Sequence, residues 1–186
     1  MKHIAIFASG SGTNAENLVR HFNESGDIKV SVIFCNNPKA YVIHRAEQLN
    51  VPCRLFTKNQ FSDLEEMLVS LNIDYIILAG FLLKVPENII SAYRGRIINI
   101  HPALLPKYGG RGMYGMNVHN AVIEAGEKES GITIHLIDEH YDRGVTLFQA
   151  KCTIEAGDTP EMLAAKIHIL EQANFPQVVE NYIKRQ

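Results

Sequence analysis

Very little in this chain of 186 residues points to a covalently or metal-braced protein. Its three cysteines, Cys35, Cys53 and Cys152, are scattered, odd in number and form no CxxC pair. That pattern argues against a disulfide framework and against a structural zinc site, and it fits a reducing, cytoplasmic setting. Basic excess is also missing: 18 Lys and Arg face 20 Asp and Glu, for a net charge of -2. No basic surface is expected to hold a nucleic-acid backbone, so any bound phosphate must be met by local dipoles and a few side chains. No apolar run approaches the length of a membrane span. The apolar opening, residues 1–8, is too short for a secretory signal and reads as a first strand. Repeats, low-complexity stretches and a clear linker are all absent. What remains is a hydrophobic content of 46% and a charged content of 20%, ordinary for a globular protein. The length suits one domain with a sizeable core.

The order of apolar runs and breakers alternates. Strands are expected at 4–8, 30–35, 53–56, 75–79 and 97–100. Helices are expected at 14–24, where Leu18, Val19 and Phe22 share a face, at 40–49, and at 61–71, where Phe61, Leu64, Leu68 and Leu71 recur at helical spacing. Strands alternating with helices imply parallel βαβ units and a doubly wound α/β sheet. The later part changes style. Residues 107–117 are rich in Gly, Tyr and Met and read as a long loop, followed by a helix at 118–125. Two strands, 131–137 and 145–154, joined through 138–144, suggest an antiparallel pair. A closing helix is expected over 160–182, with Asp158 or Thr159 as N-cap and Pro160 at its first position. Pro176 is placed to kink or break it.

Three segments carry chemistry. The first is Ile97-Ile98-Asn99-Ile100-His101-Pro102-Ala103-Leu104-Leu105-Pro106. Side chains alternate along a strand, so Asn99 and His101 share a face. Pro102 stops a central strand, which puts His101 at its C-terminal end, where open α/β sheets bind ligands. Two readings stay open here: a functional polar pair, or a hydrogen-bonded loop histidine beside a turn-capping asparagine. The second is Ser9-Gly10-Ser11-Gly12-Thr13-Asn14-Ala15, between the first strand and the first helix. Glycines let backbone approach an anion, and helix N-terminal N–H groups point at it. The loop has no Gly-Lys-Ser/Thr end, which excludes a P-loop. It matches G-x-G-x-x-A, but the acidic residue a dinucleotide needs is replaced by Cys35-Asn36-Asn37. A monophosphate fits better; a tight turn with Thr13 or Asn14 as N-cap is the competing structural explanation. The third is the strand 131–137 running into Asp138-Glu139-His140-Tyr141-Asp142-Arg143-Gly144. His135 with Asp138 or Glu139 has no recognisable metal-ligand spacing, so no metal is expected. Asp142 either caps its own turn or orients and charge-stabilises His101.

Together these segments, with Leu78-Ala79-Gly80-Phe81, resemble the glycinamide ribonucleotide formyltransferase family of purine biosynthesis over essentially the whole chain. The resemblance implies a single domain, 1–186, with a Rossmann-like, mostly parallel sheet and an antiparallel C-terminal strand. It implies a phosphate-binding half at about 1–100 and a folate-binding and catalytic half at about 78–186. It also implies that a formyl group passes from 10-formyltetrahydrofolate to the amine of glycinamide ribonucleotide. The family's catalytic residues fall on Asn99, His101 and Asp142. Its ribonucleotide contacts fall on Ser11, Gly12, Thr13, Asn14 and Glu171. Its folate contacts fall on Lys58, Leu82, Leu83, Lys84 and Val85, on Asn99 again, and on Asp138, Glu139 and Asp142 of the loop that would wrap the pteridine.

Two departures stand out. Leu83 occupies a place where family members often carry a basic residue, which leaves backbone contacts there. The 109–117 loop is longer than the usual spacing to the following histidine, placed at His119. On this resemblance the cosubstrate is the only cofactor, no metal or tightly bound group is needed, the partners are small molecules, and the chain is a monomer or homodimer. Two rivals remain. A 10-formyltetrahydrofolate hydrolase would share Asn99, His101 and Asp142 and use water in place of the amine. A non-catalytic nucleotide-binding module would use the glycine loop alone.

Overall fold

The computed structural model describes residues 1–140 and 142–186; Tyr141, within the acidic loop singled out above, lies outside the described residues. Seven strands form a mixed sheet of order β3-β2-β1-β4-β5-β6-β7. They are β1 (Lys2–Ala8), β2 (Ile28–Cys35), β3 (Cys53–Leu55), β4 (Tyr75–Leu78), β5 (Ile97–His101), β6 (Glu129–Leu136) and β7 (Thr146–Thr153). Among the described residues six α-helices accompany them: α1 (Thr13–Ser25), α2 (Val42–Gln48), α3 (Phe61–Ser70), α4 (Glu87–Ala92), α5 (Met116–Glu124) and α6 (Pro160–Lys184). The chain divides into two compact units, 1–98 and 99–186.

In the first unit, β1 runs parallel to β2 and to β4, and β2 runs parallel to β3. Central parallel strands are covered on both faces, so they must be apolar throughout rather than alternating. Ile4, Ala5, Ile6, Phe7 and Ala8 meet this demand, each fully buried. Phe7, Phe34, Phe56 and Phe81 form an aromatic cluster with edge contacts, at 5.3 Å between Phe7 and Phe34 and 5.3 Å between Phe7 and Phe81. Helix α1 buries Leu18, Val19 and Phe22, and α3 buries Phe61, Leu64 and Leu68, as their spacing requires. The cap of α1 is Gly12 in the left-handed region, with no side-chain cap, so neither Thr13 nor Asn14 plays that part.

In the second unit, β6 and β7 are antiparallel with a bulge at Ile134/His135. Thr159 caps α6 by accepting from the Met162 N–H at 3.3 Å, with Pro160 behind it. Pro176 neither ends nor divides α6. One helical hydrogen bond is lost there, but Phe175, Val179 and Ile183 stay buried along a continuous stripe that outweighs the loss.

The exit from β5 is fixed by one buried hydroxyl. Thr133 Oγ1 donates to Ala103 O at 2.7 Å and accepts from Leu105 N at 3.0 Å and from Gln149 Nε2 at 2.9 Å. Thr133 and Ala103 are both fully buried, so water cannot replace the bond between them, whereas Gln149 is exposed. Thr133→Val keeps the shape and strands the backbone groups. It is expected to lower unfolding free energy by about 2–4 kcal/mol in urea titrations, with Thr133→Ser recovering most of it. A loss below about 1 kcal/mol in Thr133→Val would show that the chain relaxes without this bond.

Candidate functional site

β5 ends at His101, and its last turn outward is made by Pro102. Asn99 and His101 emerge on one face, as the strand period demands. Each is met within the second unit by a residue remote in sequence. Asn99 Nδ2 lies 3.0 Å from His135 Nε2, and His135 Nδ1 lies 3.0 Å from Leu136 O. A carbonyl only accepts, so His135 Nδ1 carries the proton. In a neutral ring Nε2 then accepts, and the Asn99 amide must present its N–H to it. Burial pushes the His135 pKa below its usual range, against the pull of the Leu136 carbonyl and Asp142. The ring is 1% exposed, so the neutral form is the one this site holds.

His101 is oriented the same way. Its Nε2 lies 2.8 Å from Tyr108 O and donates to it, which leaves Nδ1 as the nitrogen free to take a proton. Asp142 Oδ2 sits 3.8 Å from His101 Nδ1, and Asp142 Oδ1 sits 3.8 Å from His135 Nε2. The Asp142 carboxylate is 14% exposed and accepts the Gly110 N–H at 2.8 Å. Asp142 thus bridges to the 108–110 loop and faces two histidines. Tyr108 and Asp142 both hold positive φ, 55° and 53°, a conformation that side chains other than glycine seldom adopt. A Cβ on Gly109 would come within 3.1 Å of the Asp142 Cβ and 2.6 Å of a Leu105 methyl, so loop and carboxylate are closely packed. His119, on α5, is 6% exposed, and its Nδ1 has no hydrogen-bond partner among the described residues. Burial first, and the nearby His101 second, lower its pKa.

The first unit holds the glycine loop. Ser9 Oγ donates to Asn36 Oδ1 at 2.6 Å and accepts the Leu82 N–H at 3.0 Å, and the Ser9 N–H donates to Gly80 O at 3.0 Å. This hydroxyl ties the loop to the end of β2 and to the 80–82 turn, a role the bare motif does not disclose. Ser11 is exposed, Thr13 half-buried, and Gly12 and Asn14 buried. Gly12 has φ 78°, and a Cβ there would meet Val42 Cγ2 at 2.5 Å, so only glycine fits this turn.

The remaining expected residues are more dispersed. Lys58 is exposed on a short 3-10 turn, Lys58–Gln60. Leu82 is 51% exposed, Leu83 half-buried, Lys84 exposed and Val85 buried in the core. Asp138 Oδ1 accepts the His140 N–H at 2.8 Å, an Asx turn, and Glu139 is half-buried. Glu171 lies on α6 beside His168, 3.6 Å away. Among the described residues no three His, Cys, Asp or Glu side chains are grouped to hold a metal ion. All three cysteines are free, and burial raises each thiol pKa, that of Cys53 to about 11, so none is a ready nucleophile.

A glycine loop opening α1, and Asn99 and His101 at a strand end beside Asp142, define an α/β protein with polar groups gathered at the C-terminal end of a sheet strand. The Formyl transferase family model matches residues 2–179, and the chain belongs to that family. It is 38% identical over 188 residues to the chloroplastic phosphoribosylglycinamide formyltransferase of Vigna unguiculata, covering 96% of this chain and 60% of that protein. The Arabidopsis thaliana counterpart is covered to 64%, so this chain spans less than two thirds of both plant proteins. The phosphoribosylglycinamide formyltransferase of Bacillus subtilis is 34% identical over 191 residues, covering 98% of this chain and 95% of that one. The crystal structure of the Streptococcus pneumoniae phosphoribosylglycinamide formyltransferase superposes with a TM-score of 0.88 at 35% identity, covering 98% of this chain and 99% of that one. No helix among the described residues is long and apolar enough to cross a membrane.

The neutral His135 has a consequence for acid stability. Its folded pKa lies below the unfolded value of about 6.5, so its contribution is fully present above that value. The contribution is lost as pH falls from there through the folded pKa. Urea titrations at pH 7.5 and pH 5 should show wild type losing stability, and His135→Gln losing less. Equal losses in the two proteins would mean the ring is already charged in the folded state.

Proposed function

We propose that this chain transfers the formyl group of 10-formyltetrahydrofolate to the amine of N1-(5-phosphoribosyl)glycinamide, giving the N-formyl product and tetrahydrofolate in purine nucleotide synthesis. The observation that carries this reading is the preorganised polar set in the second unit: Asn99 held by His135, and His101 beside Asp142. Membership of the formyl transferase family and the names of the relatives support it.

The residues suit the chemistry. A neutral amine attacks the formyl carbon, and the carbonyl oxygen becomes an oxyanion. Asn99 supplies a donor that needs no ionisation: with one amide N–H on His135, the other is available to the oxyanion. His101, protonated at Nδ1, adds positive charge and can pass that proton to the departing folate nitrogen as the carbon–nitrogen bond breaks. Asp142 stabilises the imidazolium and takes the extra proton of the former amine, directly or through water. The loop at Ser11, Gly12, Thr13 and Asn14 receives the ribonucleotide phosphate, with Glu171 as a further contact to that substrate. Folate is met by Lys58, Leu82, Leu83, Lys84 and Val85, and by Asn99, Asp138, Glu139 and Asp142. A single cytoplasmic domain, monomer or homodimer, acting on small molecules without metal or nucleic acid completes the proposal.

The test is release of tetrahydrofolate from 10-formyltetrahydrofolate, with and without glycinamide ribonucleotide. Acceptor-dependent release is expected. Acceptor-independent release would favour a hydrolase, and no release a binding module; either outcome overturns the proposal. In the same assay His101→Ala and Asp142→Ala should each lower kcat about 100-fold or more, with unchanged circular dichroism. Near-normal kcat in either purified variant would remove that residue from the mechanism.

A further inference from the structure

We infer that Arg45 is a positioning residue of the glycine loop: from α2 it draws the Ser11 carbonyl aside, as the Val42 N–H draws that of Gly10, so that consecutive backbone N–H groups are left for a phosphomonoester. The inference rests on the reading of that loop as the seat of the acceptor's phosphate.

Helix α2 takes two successive carbonyls from the loop. The Val42 N–H donates to Gly10 O at 3.1 Å, and Arg45 Nε donates to Ser11 O at 2.9 Å. Both peptides are trans; Leu105-Pro106 is the only cis bond among the described residues. In a trans peptide the C=O and the following N–H point to opposite sides. With the carbonyls of Gly10 and Ser11 drawn onto α2, the N–H groups of Ser11 and Gly12 turn away from it. Successive N–H groups facing one way at the start of a helix form a concavity for an anion. A loop carbonyl swung into that concavity would instead repel the anion.

Arg45 also answers a charge problem. Glu16 lies in the first turn of α1, where its carboxylate would oppose an anion at the same helix end. Arg45 Nη1 pairs with Glu16 Oε2, and Arg20 pairs with Oε1 at 2.8 and 2.9 Å. These two guanidiniums, Arg20 first, hold the Glu16 carboxyl below its usual range despite partial burial. The Glu16 carboxylate beside the loop is neutralised by its two guanidinium partners. One guanidinium thus performs both tasks, through Nε to the backbone and Nη1 to the carboxylate. Lysine has no such fork.

The experiment is steady-state kinetics of wild type, Arg45→Ala, Arg45→Lys and Gly12→Ala, varying each substrate in turn, with inorganic phosphate as competitor and thermal melting as a check on folding. For Arg45→Ala the KM for glycinamide ribonucleotide should rise about tenfold or more, the loss of one charge-assisted bond. The inhibition constant of phosphate should rise in parallel, while kcat and the KM for 10-formyltetrahydrofolate stay within about twofold. Arg45→Lys should fall between, and it carries the test if the alanine variant fails to fold. An unchanged acceptor KM, or equal rises for both substrates, would overturn the inference. If Gly12→Ala raises the acceptor KM and neither Arg45 variant does, the loop binds phosphate and Arg45 does not position it. If wild type shows no acceptor-dependent turnover, or Gly12→Ala leaves the acceptor KM unchanged, the reading of the loop itself falls.

Discussion

The hydrogen bond from Asn99 Nδ2 to His135 Nε2 is the constraint on which the second unit's chemistry turns. An asparagine amide has two ends of opposite character, and a free one would rotate between them. His135 settles the choice because its own tautomer is settled by the Leu136 carbonyl one residue away. Burial pushes the pKa of that ring down, which favours the neutral form. The sequence of causes therefore runs from a backbone carbonyl to a tautomer, then to an oriented amide, which under the proposed function is the donor that meets developing negative charge. Preorganisation of this kind is effective because no reorganisation is needed when the charge appears.

His101 and Asp142 obey a related logic through a different scaffold. The 108–110 loop takes the His101 Nε2 proton on the Tyr108 carbonyl and gives the Gly110 N–H to Asp142. Two residues in left-handed conformation, Tyr108 and Asp142, are the local cost of that arrangement. In the first unit the glycine loop is likewise set by a neighbour, here α2, which holds its carbonyls and its Glu16. In each unit one set of donors is neutral, backbone N–H groups at the glycine loop and the Asn99 amide beside His135, in a chain of net charge -2.

Much of the architecture was legible in the sequence, for identifiable reasons. Parallel strands such as β1 and β4 are unbroken apolar runs ended by glycine or a polar turn, so their positions stand out. The antiparallel β6–β7 pair was legible from two β-rich runs around a polar loop. Helix α4 was not foreseen: six residues after Pro86 are too few to show a period. The first turn of α5 reads as loop in the sequence, because Met116 and Asn117 follow a glycine-rich stretch and show no pattern of their own. At the site, Asn99, His101 and Asp142 were legible as residue types, and resemblance assigned their roles. His135 attracted notice only as a possible metal ligand, whereas its work is to hold an amide 36 residues away. The Tyr108 carbonyl and the Arg45 guanidinium left no sequence signal. One is a backbone atom, and the other acts across 34 residues on a loop carbonyl.

The central claim is that a neutral, Nδ1-protonated His135 fixes the Asn99 amide. Nitrogen-15 NMR of the imidazole rings, followed from pH 8 to pH 5.5, measures that state directly. The account predicts that His135 shows the shifts of a neutral ring protonated at Nδ1 at pH 7, and that they are disturbed in Asn99→Ala. A His135 ring that is an imidazolium, or is protonated at Nε2, at pH 7 would contradict it, because the amide would then present its oxygen to the ring and leave no oriented donor for the reaction.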